Sequence, residues 1–273
     1  MPHDGGAVPE TGRYIVPGLR RGLAILRLFN RDRTVIGVPE IVRELGISRA
    51  TAFRLAYTLE ADGYLQRSPY SHAFRLGIGA LSLGFEYLGS LDLVETARPV
   101  VEDLRDRTDA SAHLGLLDGT DWVTVLRAPS RHRLRSPVTV GTRMPAHATS
   151  IGRALLMDHG LAELRALYGK RRLPIFSDQT PATVEALHQR LQAEREQGFV
   201  ASHSGYTPGI ANVAAPVRDA TGRIAAGLNV SDHESLPALL DLTGGTAVAV
   251  VAAAATISAT LGFLAPRPQA EHG

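Results

Sequence analysis

No cysteine occurs among the 273 residues. That excludes disulfide scaffolds, thiolate zinc sites and cysteine nucleophiles, and it suits a reducing cytoplasm, the expected location. Lysine is nearly absent as well. Lys170 is the only one, so 28 of the 29 basic residues are arginine. Catalytic and metal signatures are also missing, with no H-E-x-x-H and no G-x-S-x-G. Ser202 stands beside His203, but neighbours on a strand point to opposite faces, so the pair is no catalytic dyad. Asp232, His233, Glu234 and His113 are too scattered along the chain to argue for a metal. Gly77-Ile78-Gly79 falls short of a dinucleotide fingerprint because Ser82 stands where its third glycine belongs. No catalytic residue, metal or cofactor is assigned. Asn229-Val230-Ser231 fits a glycosylation sequon, which matters only in a secreted protein. No charged, apolar leader opens the chain, and residues 1–15 and 265–273 are expected to be tails. Residues 243–265 carry no charge, yet their Ala, Thr, Gly and Ser content suits a buried C-terminal helix better than a membrane span, so no membrane partner is expected.

What is present is unevenly distributed. Residues 13–75 hold eleven Arg against five acidic residues, a net of +6, whereas residues 76–273 are net −2. A basic small domain before a mildly acidic larger one suits a nucleic-acid partner on one side and a different partner on the other. Leu19, Leu23, Leu26 and Phe29 recur at helical spacing and are expected to form the apolar face of a first helix. Val38-Pro39-Glu40 opens a second, whose stripe is Val38, Ile41 and Leu45. Gly46 supplies a sharp turn and Ser48 an N-cap for a third helix. In that helix Ala52, Leu55, Ala56 and Leu59 face inward. Ala50, Arg54 and Tyr57 face out, with Arg49, Thr51 and Thr58 on the flanks. Two short strands, 64–67 and 73–76, follow around a wing of Ser68 to His72. That order is a winged helix-turn-helix, whose third helix fits the major groove of double-stranded DNA.

Ile78, Leu81, Phe85 and Leu88 then mark a connecting helix with an unpartnered apolar face, for which a second subunit is the natural cover. Beyond residue 93 the pattern mixes helices at 94–107, 149–157, 161–168 and 181–197 with strands at 111–117, 122–127, 138–141, 199–203, 210–217 and 224–230. Helices packed on an antiparallel sheet make an α+β sensor-like domain.

These stretches together resemble the IclR family of bacterial transcriptional regulators. The likeness spans about residues 16–263. It is carried by Gly18 to Leu26, Gly46 to Leu55, Leu59 to Leu65, Gly141 to Thr149, Gly152 to Leu156 and Ala214 to Asp219. The 141–149 and 214–219 stretches look most like the branch that controls aromatic-acid catabolism. The resemblance implies a winged helix-turn-helix (16–77), a linker helix (78–92) and a GAF-like effector-binding domain (93–264), working as a dimer or a dimer of dimers.

At the DNA end, Ser48, Arg49, Ala50, Thr51, Arg54 and Tyr57 are expected on the reading helix. Arg can pair bidentately with guanine, and the methyls of Ala50 and Thr51 can meet a thymine methyl. Arg67, His72 and Arg75 of the wing are placed for phosphate. At the other end, polar residues in apolar strands mark a pocket. Asn212 lies between Ile210 and Ala214, while Gly227, Asn229 and Ser231 share one strand face. Thr149-Ser150-Ile151 opens a helix whose free N–H groups suit a carboxylate, and Met144 and Ile210 supply walls. Carried over from the family position by position, effector contacts fall on Met144, Ser150, Ile151, Ser202, Ile210, Asn212, Asn229 and Ser231. The sequence departs from simple-acid sensors by its two Asn, by the bulk of Ile151 and by Ser202 in place of an acidic residue. His147 is expected to bond backbone near the helix start. Arg133 and Arg135 could attract an anion, but Arg131-His132-Arg133 reads as an exposed loop. The expected function is a regulator that senses a small organic acid. An enzyme, or a constitutive DNA-binding protein without effector, is the alternative.

Overall fold

The computed structural model describes residues 14–30, 32–131, 138–169 and 172–264. The expected tails fall largely outside these residues, as do His132, Arg133 and Arg135. The chain divides into two compact units between Ser90 and Leu91.

In the first unit, helices α1 (Pro17–Arg27), α2 (Val38–Leu45) and α3 (Arg49–Ala61) precede a hairpin of β1 (Leu65–Arg67) and β2 (Phe74–Leu76). Ile25, Ile41, Ala52, Ala56, Leu65 and Phe74 are its buried core. Ile36 joins them through a two-way backbone bridge to Phe74, 2.9 Å in each direction. The turn between α2 and α3 places Gly46 in the left-handed region (φ 62°), which a side chain would disfavour. Ser48 Oγ then accepts from the Thr51 N–H at 3.2 Å and starts α3. One expectation holds only in part. Leu26 and Phe29 pack against this core, but Leu19 and Leu23 of α1 are 64% and 45% exposed, and Gly22 and Ile25 take the buried positions. The buried face is turned from the expected one towards Gly22 and Ile25.

Helix α4 (Ile78–Gly89) begins directly on the hairpin and ends three residues before the expected limit at 92. The Gly77 N–H donates to the Tyr64 carbonyl at 2.8 Å and the Gly79 N–H to that of Gly63 at 3.0 Å. A Cβ at Gly77 would run into the Gly63 carbonyl oxygen, so glycine permits the approach. Within this chain α4 has no buried residue, and Ile78, Leu81, Leu83, Phe85 and Tyr87 are exposed.

The second unit starts with α5 (Asp92–Thr108) and continues with β3 (Ser111–Asp118), β4 (Asp121–Ala128), β5 (Arg143–Pro145), α6 (Ser150–Leu156), α7 (Leu161–Tyr168), α8 (Val184–Gln197), β6 (Val200–His203), β7 (Ile210–Arg218), β8 (Ile224–His233) and α9 (Gly245–Thr260). The strands form one antiparallel sheet in the order β5-β4-β3-β8-β7-β6. Helices α5 and α9 pack together beside strands β3 and β7. Their face of the sheet carries Ala112, Leu114, Val213, Ala215, Leu228 and Val230, all buried. The opposite face receives α6, whose Ile151 seats over Gly115 and Gly227. A Cβ at Gly227 would lie 2.9 Å from Ile151 Cγ1. The Arg153 side chain, 2% exposed, bonds Glu194 of α8 at 2.9 and 3.1 Å and anchors α6 from behind.

Two further differences are local. The edge strand expected at 138–141 lies at Arg143–Pro145, because residues 139–142 close a turn through the Thr142 N–H to the Thr139 carbonyl at 2.9 Å. Helix α8 starts at Val184, capped by the Thr183 hydroxyl, rather than at 181. Among the described residues no helix is long and apolar enough to cross a membrane.

Candidate nucleic-acid interface and effector site

On α3, Arg49, Ala50, Phe53, Arg54, Tyr57 and Thr58 are exposed. Ser48 and Thr51 are engaged with each other, their hydroxyls 2.8 Å apart, so they shape the helix start as much as they face outward. The Thr58 hydroxyl donates to the Arg54 carbonyl at 2.9 Å, and Arg54 is exposed. Phe53 stacks on Tyr57 with ring centroids 6.2 Å apart. Sequence reading left Phe53 out. Counting the outer face as 50, 53, 54, 57 would have found it.

The wing residues differ among themselves. His72 and Arg75 are exposed. Arg67 instead donates its Nε–H to Glu60 at 3.0 Å and lies over the Phe74 ring at 4.4 Å. It joins wing to α3, and reaching a phosphate would mean giving up a carboxylate and a ring.

The effector candidates gather on the α6 face of the sheet. Register places Ser202, Asn212 and Ser231 side by side across β6, β7 and β8, with Ser111 of β3 completing the row. In the next row Asn229 stands between Ala214 and His113, and Arg127 lies beyond His113 on β4. Ile210 extends the first row's face by one step along β7, opposite His233. Ser150 and Ile151 are buried at the start of α6. Met144 sits on edge strand β5 opposite Trp122 and packs into the cluster that holds Trp122 and Ile151. Ser202 is buried while its neighbour His203 is exposed, as strand alternation requires, so they form no dyad. Thr149 does not cap α6 with its side chain. Its hydroxyl donates to the Pro145 carbonyl and accepts from the Trp122 indole at 2.8 Å. His147 bonds the Pro174 carbonyl through Nε2 at 2.9 Å, a backbone partner in a different segment from the expected one.

Electrostatics single out a residue that the sequence offers only as a discounted metal ligand. His113 is 1% exposed, and its Nδ1 lies 3.1 Å from Asn229 Oδ1. Burial pushes its pKa down to about 4, and the Arg127 charge adds to the effect. Four buried side-chain atoms on or beside this face lack a hydrogen-bond partner among the described residues: His113 Nε2, Asn212 Oδ1, Thr124 Oγ1 and Ser130 Oγ. The Asn229–His113 pairing joins residues 116 apart in sequence, so no local pattern announces it.

A separate cleft of about 460 Å³ opens at the other end of α6, lined by Leu117, Leu155, Asp158, Arg223 and Ile224 among others. Asp158 in its lining is held by Arg218 at 2.5 and 3.1 Å. Among the described residues no cluster of His, Asp or Glu could hold a metal.

Comparison with known proteins agrees with this architecture. Residues 18–69 match the IclR helix-turn-helix domain, and residues 85–259 match the bacterial transcriptional regulator IclR C-terminal domain. The chain is 33% identical over 217 residues to the HTH-type transcriptional regulator XynR of Escherichia coli, covering 80% of this chain and 86% of that one. It is 32% identical over 216 residues to the Pca regulon regulatory protein of Pseudomonas putida, covering 79% and 74% respectively. A crystal structure of an IclR homolog from Microbacterium hydrocarbonoxydans in complex with 4-hydroxybenzoate superposes with a TM-score of 0.76 at 26% identity, covering 89% of this chain and 98% of that one. Both domain matches describe regulation of transcription rather than catalysis, so the first unit is a DNA-binding helix-turn-helix and the second an effector-binding domain. From its reading helix to its C-terminal sheet, this chain belongs to the IclR family of bacterial transcriptional regulators.

Proposed function

We propose that the chain is a ligand-responsive regulator: α3 reads operator DNA, and a small organic acid on the polar face of the C-terminal sheet sets how well it does so. The observation that carries the reading is the row Ser202–Asn212–Ser231, continued by Asn229, where Asn212 Oδ1 is buried without a partner among the described residues. A buried polar atom left unpaired costs ~1–3 kcal/mol. A ligand that supplies the missing bond recovers that free energy. Met144 and Ile210 are the apolar walls, and Ser150 and Ile151 close the site along α6. The 4-hydroxybenzoate bound to the Microbacterium homolog and the Pca regulon relative favour an aromatic acid. Arg49, Ala50, Thr51, Arg54 and Tyr57 meet base edges and groove walls, with Ser48 holding the helix start. His72 and Arg75 meet phosphate, and Arg67 braces the wing.

The exposed apolar residues of α4 are covered by a second copy, giving a dimer or a pair of dimers. An acid that binds one arrangement of the dimer better shifts the spacing of two reading helices. The test is a gel-shift titration on the DNA upstream of the chain's own gene, with and without benzoate, 4-hydroxybenzoate and aliphatic acids. Sequence-selective binding that one class of acid changes supports the proposal. Binding that no acid alters leaves a constitutive DNA binder and refutes it.

A further inference from the structure

We propose that His113 selects the effector: its Nε2, with Asn212 Oδ1, presents two hydrogen-bond acceptors that favour an acid bearing donor groups, hydroxyls above all. The inference rests on the reading of this face as the effector site and adds to it the chemistry that the ligand must carry.

The argument starts from the antiparallel register that sets His113 opposite Asn229. Asn229 Oδ1, 3.1 Å from Nδ1, is an amide oxygen and can only accept. With the Asn229 amide oriented so, Nδ1 carries the ring proton. A neutral imidazole has one N–H, so Nε2 is left with a lone pair. The ring is neutral at pH 7 because burial and the Arg127 charge both oppose protonation, and the pull of Asn229 and Asp232 does not offset them. Nε2 is buried and unpartnered among the described residues, as is Asn212 Oδ1. The two lie on one face of the sheet, in adjacent rows linked through Ser231 and Asn229 of β8. Carboxylate, ether and carbonyl oxygens set against such atoms would place lone pair against lone pair. A hydroxyl donates and satisfies them. A site built on two acceptors thus separates a hydroxylated acid from its O-methyl or deoxy analogue by roughly 10-fold or more per acceptor.

The test uses the full chain with 15N-labelled histidine, the His113 signals being assigned by their loss in His113→Asn. Two-bond proton–nitrogen correlations at pH 7 are expected to show the Nδ1–H tautomer, whereas an Nε2–H tautomer overturns the inference. Titrations then pair 3,4-dihydroxybenzoate with its dimethoxy analogue, and gluconate with hexanoate. Wild type is expected to prefer the hydroxylated member of a pair by ~10-fold or more. His113→Asn keeps a donor toward Asn229 but lacks the second nitrogen, and its preference is expected to shrink towards that set by Asn212 alone. Equal affinity for both members of the pairs in wild type overturns the inference while leaving the effector site standing. No response to any acid overturns the effector reading and the inference together. Should the variant fail to fold, the wild-type preference between the paired acids still decides.

Discussion

Lowering the pH from 7.5 to 4.5 is expected to destabilise the C-terminal unit through one histidine. His113 is held neutral in the fold, with a pKa of about 4, against an ordinary value of ~6.5 in the unfolded chain. Between those values the unfolded state binds a proton that the folded state refuses, so unfolding is favoured as pH falls through this window. Stability from this source is intact above about pH 6.5, declines below it and levels off near pH 4. The separation corresponds to about 3 kcal/mol, most of it expressed by pH 4.5. Acid also protonates carboxylates such as Asp158, which Arg218 holds below the usual carboxylate range. The clean measurement is therefore a difference of differences. Urea titrations of wild type and His113→Asn at both pH values should show wild type losing about 2–3 kcal/mol more than the variant. Parallel losses in the two proteins would refute a buried neutral imidazole.

Arg54→Ala should weaken operator binding by about 1–3 kcal/mol, read by gel shift, with an unchanged thermal transition, because the guanidinium is exposed and Thr58 bonds only the backbone of residue 54. Unaltered affinity and sequence preference would remove Arg54 from the interface. Glu194→Gln strips the buried Arg153 of its counter-charge and should cost about 3–5 kcal/mol in urea unfolding, since both partners are below a tenth exposed. A loss under about 1 kcal/mol would mean that water reaches the pair. Gly227→Val should destabilise the C-terminal unit by about 1–3 kcal/mol, because even its Cβ meets Ile151 at 2.9 Å. A neutral effect would show that α6 shifts freely.

The parts of this molecule legible in its sequence are those set by near neighbours. Gly46, Ser48 and the Ala52/Ala56 spacing fix the turn, the cap and the inner face of α3 within a dozen residues, and the structure has each in place. Of the expected face of the first helix, Leu26 and Phe29 reach the core and Leu19 and Leu23 do not, because the contact that turns the helix towards Gly22 and Ile25 comes from the rest of the domain. Asn212, Asn229 and Ser231 stood out as polar residues in apolar strands, and the register brings them onto one face. His113 did not stand out. Its significance lies in Asn229, which reaches it only when β3 and β8 pair, and in a desolvation that a one-dimensional string does not express. Arg67 was visible as a charge, but Glu60 and Phe74 as its partners were not.

The short contact between α4 and the residues that end α3 has a mechanical consequence. With Gly77 and Gly79 bonded to the carbonyls of Tyr64 and Gly63, turning the start of α4 must either break these bonds or move the segment that follows α3. The helical backbone next stops at Gly89, before α5 begins at Asp92.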